Sequence, residues 1–317
     1  MDGETMSVQT VLWPDGGPSD PELDAVAKQV LAADPDGRRF AGAIRRSIDM
    51  LLDGQHTGRF RWDQLYKTEK AHLGTLIEIN VQREFGFADG ASMDYSIADA
   101  DVDCKYSQAL GGWMIPPEAL GHLLLVVWAS DEESSWSAGL VRALPERLNS
   151  GGNRDTKKTL NAAGRGAVKW LFRGAPLQEN MLLRLPGADI KAIFSHKSGQ
   201  RRVDDLFVRA QGRRISRTVV ATVAMQEDYM KRVRYNGGSR SRLQSRGIVI
   251  LGHYSSHGGI AEALGLPVPG SGESVSARLA AARPHHAGAP RVELGGQEWV
   301  LARPDDPEEA VPKLPEI

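Results

Sequence analysis

The sequence predicts a mixed α/β protein of two domains, and three observations support this prediction. Amphipathic helical patterns come first, short extended segments follow, and a basic region of further helices and strands comes last. A chain of 317 residues is long enough for two domains of ordinary size. We expect a loose leader at residues 1–20, a first domain at 21–171, a linker at 172–182 and a second domain at 183–317.

The first domain is predicted to surround a central mixed sheet with helices. Apolar residues spaced three and four apart indicate helices at 22–31, 38–52 and about 64–85, the last ended by Gly86. Segments 93–98 and 102–107 are short and extended around a turn-rich Asp-Ala-Asp spacer at 99–101, which indicates a hairpin. The continuous apolar run 123–129 is typical of a strand buried on both faces, and 136–144 is predicted to be another strand.

The second domain has the pattern of a winged helix-turn-helix. Arg-Gly-Ala-Pro at 173–176 breaks the preceding pattern and indicates a linker. Helices are then predicted at 203–211, 213–225 and 226–234, followed by an Asn-Gly-Gly turn at 236–238, a basic hairpin and a strand at 248–251. The tail from Pro304 is rich in Asp, Glu and Pro, so we expect it to be loose.

Composition narrows the class of protein. A hydrophobic fraction of 41% and a charged fraction of 25% argue against general disorder. The net charge is only -1, yet residues 197–246 hold 13 Lys and Arg against 4 Asp and Glu, which suggests a nucleic-acid-binding region. The single cysteine cannot form an intramolecular disulfide, and the pattern of a signal peptide or membrane span is missing. We therefore expect a cytoplasmic protein that does not bind membranes.

A group of acidic residues and one lysine is suited to phosphodiester hydrolysis. Alternate side chains of a strand share a face, so Asp103 and Lys105 point the same way, and the hairpin returns Asp94 towards them. Asp94 and Asp103 are predicted to bind Mg2+, with the backbone carbonyl of Cys104 as a further ligand. Lys105 would orient or activate the attacking water, and Glu78 on the preceding helix would be an outer or second-metal carboxylate.

Simpler interpretations exist for several of these residues. An Asp-x-Lys pattern on a strand is often only a solvated ion pair. Asp99 and Asp101 are expected to be ordinary turn residues, and Cys104 a core residue without a histidine partner. The neighbours His285 and His286 lie in an Ala, Gly and Pro-rich loop without a second ligand pair, so zinc is not expected.

The basic segment of the second domain is expected to contact DNA in two ways. Its alternative interpretation is a solvated basic face. Phosphate binding gives affinity without sequence choice, whereas arginine can also pair with guanine edges. The residues assigned to phosphate are Arg213, Arg214, Arg217, Arg240 and Arg242, and those that would also reach guanine are Lys231, Arg232 and Arg234.

The acidic group resembles the active site of the PD-(D/E)xK nuclease superfamily, with Asp94 as its first aspartate and Asp103-Cys104-Lys105 as its second part. Met93 stands where many members have proline. An ordered series of segments is also similar to the NaeI-type restriction endonucleases, and it runs from about residue 40 to 270. These segments are 67–80, 102–105, 116–118, 127–131, 177–180 and 230–234.

This resemblance implies a type IIE restriction endonuclease of the bacterial cytoplasm. Such a homodimer cuts double-stranded DNA at GCCGGC to blunt ends, with Mg2+, after a second copy of the site occupies its other, catabolite-activator-like domain. The family's catalytic positions fall on Glu78, Asp94, Asp103 and Lys105. Leu51 stands in a ligase-like stretch where nucleotidyl transfer needs a lysine, so ligase or topoisomerase chemistry is not expected.

A second hypothesis comes from a different functional class. A non-enzymatic winged-helix regulator could use its first domain for dimerisation or ligand sensing. Such a protein has no need to keep Asp103 and Lys105 in register with Asp94 and Glu78. Mg2+-dependent cleavage of a plasmid distinguishes the two hypotheses, because the regulator would bind DNA without cutting it.

Overall fold

The computed structural model describes residues 19–152 and 154–315. The chain divides into two compact units, one made of residues up to 51 with 65–179, and the other of residues 52–64 with 180–317. Most of the expected leader, 1–18, lies outside the described residues. Asp20, from the end of that leader, is held firmly, because its carboxylate caps the first helix at Leu23 and pairs with Arg142 at 2.7 Å.

The described residues form ten α-helices and eleven strands. The helices are α1 (Pro21–Ala33), α2 (Arg38–Leu52), α3 (Gly54–Thr57), α4 (Lys67–Phe85), α5 (Ala162–Gly166), α6 (Gly187–Ser195), α7 (Gly199–Arg209), α8 (Arg217–Ala224), α9 (Ser239–Arg242) and α10 (Ser255–Ala263). The strands are β1 (Ala88–Asp89), β2 (Tyr95–Ile97), β3 (Ala100–Ser107), β4 (Leu123–Ser130), β5 (Ser135–Arg142), β6 (Lys169–Pro176), β7 (Arg214–Ser216), β8 (Ile248–Gly252), β9 (Glu273–Ala281), β10 (Arg291–Leu294) and β11 (Gln297–Leu301).

The first unit contains a six-stranded mixed sheet, as the sequence predicts. Its strands follow chain order from β1 to β6, and β3 and β4 are parallel whereas the other neighbours are antiparallel. The apolar strand β4 is central, and its first five residues are buried. Helices α1, α2 and α4 confirm the three predicted helices, and α4 ends at Gly86, whose φ of +68° suits glycine.

The predicted hairpin is present, with a tighter turn than expected. Ile97 pairs with Ala100, so the loop contains only Ala98 and Asp99, with φ values of +51° and +63°. Two consecutive positive φ angles are typical of a type I′ turn, whose twist matches that of the flanking strands. The expected spacer at 99–101 is therefore wrong by one residue at its start, and Ala100 already belongs to β3.

The segment 173–176, predicted as a linker, is instead the end of strand β6. Trp136 pairs with Ala175 and Ser135 with Pro176, while the register shifts between Trp136 and Ala138. Gly174 lies at this irregularity with φ +60°, and its N–H donates to the Ser137 hydroxyl at 2.9 Å. Glycine therefore accommodates a bulge in a strand here, a use that a single sequence does not distinguish from a linker.

The second unit contains a five-stranded sheet with helices. β9 pairs with β8 along one edge and with β7 and then β11 along the other, and β11 also pairs with β10. The strand predicted at 248–251 is confirmed as β8. The hairpin of β10 and β11 was not predicted, although its two-residue turn consists of Gly295 and Gly296, both at positive φ.

The helices of this unit differ from prediction after residue 212. The helix predicted at 213–225 is strand β7 followed by α8, and α8 ends at Met225 with φ +52°. The predicted helix 226–234 is only a 3-10 turn, Tyr229–Arg232, and the predicted basic hairpin is replaced by α9. A side chain at Gly238 would lie within 2.5 Å of the Arg234 carbonyl oxygen, so the chain turns back too closely for a regular helix to continue.

The tail, predicted to be loose, packs onto the second unit as far as residue 315. Val311 and Leu314 are buried in an apolar cluster with Trp299. Asp306 is buried too, and its carboxylate accepts hydrogen bonds from the Arg303 N–H at 2.7 Å and from both His285 and His286 at 3.0 Å. The prediction of a loose tail from its acidic and proline-rich composition is wrong, because Asp306, Val311 and Leu314 contact residues of the folded second unit.

Among the described residues, the helices are all too short or too polar to cross a lipid bilayer.

Replacing the buried carboxylate of the tail should make stability depend on pH. The Arg303 N–H and the two histidines hold the pKa of Asp306 below its usual range. A lowered pKa contributes stability above the ordinary carboxyl pKa, and this contribution is lost as the pH falls through the folded-state pKa. We expect Asp306→Asn to lower the melting temperature at pH 7, with a smaller difference from wild type at pH 3.

Thermal unfolding followed by circular dichroism at several pH values measures this difference. Asp305→Asn is the matched control, because its side chain is exposed on the neighbouring residue. A difference between wild type and Asp306→Asn that stays constant from pH 7 to pH 3 would contradict the assigned role.

Candidate active site

The turn of the β2–β3 hairpin places two aspartates side by side. Tyr95 lies opposite Val102, so Asp94, one residue earlier, comes next to Asp103. The Asp94 carboxylate accepts a hydrogen bond from the Cys104 backbone N–H at 2.7 Å. This bond fixes Asp94 to the strand that carries Asp103, so the two carboxylates converge as the sequence predicts.

Lys105 lies between these carboxylates. Its ammonium nitrogen is 2.5 Å from Asp103 Oδ1 and 3.9 Å from Asp94 Oδ2. The same nitrogen donates to the Cys104 backbone carbonyl at 3.2 Å. The oxygens of Asp94, Asp103 and the Cys104 carbonyl are the expected metal ligands, and all three lie around the Lys105 ammonium nitrogen. The group can therefore accommodate a positive charge at close range.

Burial perturbs the ionisation of this group. It raises the pKa of Asp103 to about 6, with Asp94 acting in the same direction and the Lys105 ammonium opposing both. Burial also acts to lower the pKa of Lys105, but the hydrogen-bonded Asp103 carboxylate outweighs it and raises that pKa above its ordinary value. The ion pair therefore persists although both partners are removed from water.

Glu78 on α4 belongs to the same electrostatic group. Its side chain is half-buried, and burial together with the Asp94 charge raises the pKa of Glu78, whereas Lys105 opposes the rise. The four residues predicted from sequence are thus brought together from a helix, a loop and a strand. Three carboxylates face one ammonium, and a divalent cation would relieve their mutual repulsion.

The donor set fits Mg2+. Asp103 is only 5% exposed, and among the described residues its second oxygen, Oδ2, has no hydrogen-bond partner. A buried carboxylate oxygen without a partner is costly unless a ligand satisfies it. Magnesium is a hard cation that takes oxygen ligands, and Asp94, Asp103 and the Cys104 carbonyl supply them.

The simpler interpretations of Asp99, Cys104 and Asp101 have different outcomes. Asp99 is a turn residue, as expected. Cys104 is buried, and burial raises the pKa of its thiol to about 12, so the thiol stays protonated and is a poor nucleophile. The expectation for Asp101 is wrong, because it lies in β3 opposite Ser96 and not in the turn. Its carboxylate accepts hydrogen bonds from the Ala91 and Ser92 N–H groups at 2.7 and 3.0 Å, and so holds the loop that leads to Asp94.

The basic residues assigned to DNA fall into two groups, and the first is exposed. Arg213, Arg214, Arg217 and Arg234 are open to solvent. Within the part of the chain that the structure describes, Arg213 and Arg214 make long polar contacts, to the Arg184 carbonyl at 3.5 Å and to Glu273 at 3.8 Å. Side chains held this weakly can turn towards a phosphate at small cost.

The second group already has partners inside the protein. Arg242 pairs with Asp204 at 2.7 Å, and Lys231 and Arg232 both pair with Asp228 at 3.3 Å. These contacts reduce the charge available for DNA.

Arg240 is held most firmly. Its guanidinium lies 5.9 Å from the ring centre of Tyr235 and 5.7 Å from that of Tyr254, and its Nε donates to the Ile250 carbonyl. These contacts fit a structural role as well as they fit phosphate binding.

Sequence reasoning missed the partner of the His285–His286 pair. Asp306, twenty residues further on, joins them into a cluster, and no local signal indicates this. The hydrogen bonds argue against a metal there. His286 Nδ1 accepts the Arg283 N–H at 3.2 Å, so its Nε2 carries the proton that is donated to Asp306 and has no lone pair for a metal.

Comparison with known proteins agrees with this geometry. The family model described as "Restriction endonuclease NaeI" matches residues 24–310, which include all four residues of the acidic group. The chain is also 48% identical over 305 residues to the type II restriction enzyme NaeI of Lentzea aerocolonigenes, covering 93% of this chain and 95% of that protein. A match of this extent shows that the chain belongs to the NaeI restriction endonuclease family.

Proposed function

We propose that this protein is a Mg2+-dependent type II restriction endonuclease that hydrolyses phosphodiester bonds of double-stranded DNA. The observation that carries the proposal is the convergence of Asp94, Asp103 and Lys105 around one point, with Asp103 Oδ2 unsatisfied, in a chain of this family. Glu78 adds a third carboxylate to the same group.

The residues have separate roles in this proposal. Asp94, Asp103 and the Cys104 carbonyl would hold Mg2+, which when bound lowers the pKa of water and offsets charge on the phosphate. Lys105, kept protonated by Asp103, orients the attacking water and stabilises negative charge that develops near it. Glu78 acts from the edge of the group as an outer or second-metal carboxylate.

The second unit is proposed to be a winged helix-turn-helix that binds a second DNA copy. Strands β7, β9 and β8 form an antiparallel set beside α7 and α8, an arrangement that supports this assignment. Exposed Arg213, Arg214, Arg217 and Arg234 are its first phosphate contacts. Lys231, Arg232, Arg240 and Arg242 can contribute only after giving up internal partners.

The remaining features of the proposal come from the family resemblance. They are a homodimer, the target GCCGGC cut to blunt ends, and type IIE behaviour, in which one DNA copy activates cleavage of another. The basic surface of the second unit supports a DNA site distinct from the acidic group, since the acidic group and the exposed arginines belong to separate units.

The protein should convert supercoiled plasmid into discrete fragments with Mg2+ but not with EDTA. The physical reason is the unsatisfied carboxylate group, which needs a cation before an anionic phosphate can approach. Sequencing the fragment ends measures the target and the cut position together, and we expect blunt ends within GCCGGC. A gel shift without cleavage would favour a DNA-binding regulator instead.

Lys105→Ala should reduce cleavage by about 100-fold or more, because it removes the charge that orients the attacking water. DNA binding in a gel-shift assay should remain near that of wild type. Lys28→Ala, at an exposed position on α1, is the matched control and should cut normally. Retained cleavage by Lys105→Ala would refute the active-site assignment.

A plasmid with one target site should be cut slowly, and a short duplex carrying the site should accelerate its cleavage. The expected acceleration follows from a second DNA copy bound by the second unit. Initial rates on one-site and two-site plasmids measure it, with a duplex of scrambled sequence as the control. Equal rates on both plasmids would rule out the requirement for an effector site.

A further inference from the structure

The four residues of the acidic group lie on separate elements, so their geometry depends on how α4 meets the β2–β3 hairpin. Glu78 is on α4, Asp94 precedes β2, and Asp103 and Lys105 are on β3. One side chain joins the helix to the hairpin next to these residues. Tyr95 is fully buried, and its hydroxyl donates a hydrogen bond of 2.7 Å to the backbone carbonyl of Glu78 itself.

The pairing of the hairpin places Tyr95 on the face away from Asp103 and Lys105. Tyr95 lies opposite Val102, and alternate residues of a strand share a face, so the side chains of Tyr95, Val102 and Cys104 lie on the same face. Asp103 and Lys105 alternate with these residues along β3, so their side chains point to the other face.

The hydrogen bond from Tyr95 to Glu78 therefore lies on the opposite face of the hairpin from Asp103 and Lys105. Tyr95 follows Asp94 in sequence, and the Asp94 carboxylate accepts the Cys104 backbone N–H at 2.7 Å. The two partners of the Tyr95 hydrogen bond are thus a residue of the acidic group and the immediate neighbour of another.

We propose that Tyr95 is a positioning residue, which fixes Glu78 relative to Asp94, Asp103 and Lys105 through the hydrogen bond from its buried hydroxyl to the Glu78 carbonyl. This inference rests on the proposed function, because it assumes that the acidic group binds Mg2+ and cuts DNA. The hydroxyl determines where the third carboxylate stands, and with it how tightly the group holds Mg2+. Tyr95 itself touches neither metal nor substrate.

The chain contains a matched control for this hydroxyl. Tyr106 is also on β3, two residues beyond Cys104, and a side chain at Gly74 of α4 would lie 4.0 Å from its Cβ, so it borders the same helix. Its hydroxyl differs in its partner, which is the Ala129 carbonyl on β4 at 3.4 Å. Tyr106→Phe therefore removes a phenol oxygen near the same helix without releasing α4 from the hairpin.

The experiment compares the full-length wild type with Tyr95→Phe, Tyr106→Phe, Glu78→Gln and the double variant Tyr95→Phe/Glu78→Gln. Binding of Mg2+ to each protein is measured by isothermal titration calorimetry without DNA, and single-turnover cleavage of a plasmid is measured over a range of Mg2+ concentrations. We expect Tyr95→Phe to raise the half-saturating Mg2+ concentration about 10-fold, a typical effect of losing an outer partner of a metal site. Tyr106→Phe should follow the wild-type curve.

The double variant separates positioning from general destabilisation. If Tyr95 acts through Glu78, Tyr95→Phe should have little further effect once Glu78 is Gln, because the carboxylate that it positions is gone. A Tyr95→Phe curve that coincides with that of Tyr106→Phe, or an equal effect with and without the Glu78 carboxylate, would overturn the inference. If Tyr95→Phe does not fold, 4-fluorophenylalanine incorporated at position 95 fills the space of the hydroxyl without donating a hydrogen bond. It should raise the Mg2+ requirement in the same direction, while an unchanged requirement would overturn the inference.

Different results would refute the proposed function and the proposed role of Tyr95. A wild-type protein that does not cut DNA with Mg2+ refutes the proposed function. A wild-type protein that cuts, together with Tyr95→Phe of unchanged Mg2+ dependence, refutes only the role of Tyr95.

Discussion

The hydrogen bond from the Cys104 N–H to the Asp94 carboxylate is the contact on which the acidic group depends. It forms because the two-residue turn at Ala98 and Asp99 sets a register in which Asp94 comes beside Asp103. A register shifted by one residue would turn every side chain of one strand to the opposite face. Lys105 could then no longer meet both carboxylates, so the position of one turn determines whether the group exists.

The acidic group is electrostatically unfavourable for folding and favourable for binding a cation. Burial raises the pKa of Asp103 and of Glu78, and Asp94 raises both further. One ammonium, Lys105, offsets three carboxylates only in part. Local features that oppose stability are expected at functional sites, where a ligand supplies the compensation. Under the proposed function, the same imbalance gives a reason why a small shift of Glu78, such as loss of the Tyr95 hydroxyl would cause, would alter the affinity for Mg2+.

The chain passes through the second unit just before it enters α4. Residues 52–64 belong to that unit although they precede α4, since Phe60 lies in its core and its carbonyl accepts the Asn180 side-chain N–H at 2.9 Å. Helix α3 within this segment packs against α8, where a side chain at Gly54 would collide with Thr222. The chain then leaves the second unit and enters α4, the helix that carries Glu78.

Much of the first unit was predictable from the sequence, because local periodicity determined α1, α2, α4 and β4, and strand alternation placed Asp103 and Lys105 on one face. The rest depends on partners distant in sequence. Gly174 lies at a β-bulge that exists only because β6 pairs with β5. Arg240 is held by Tyr235 and Tyr254. The acidic tail is ordered by its contacts with His285 and His286. The sequence by itself determined which side chains could bind a metal. Only the tertiary structure decided that α4 brings Glu78 up to this hairpin and that Tyr95 holds the Glu78 carbonyl, because hydrogen bonds between a helix and a hairpin leave no local pattern in the chain.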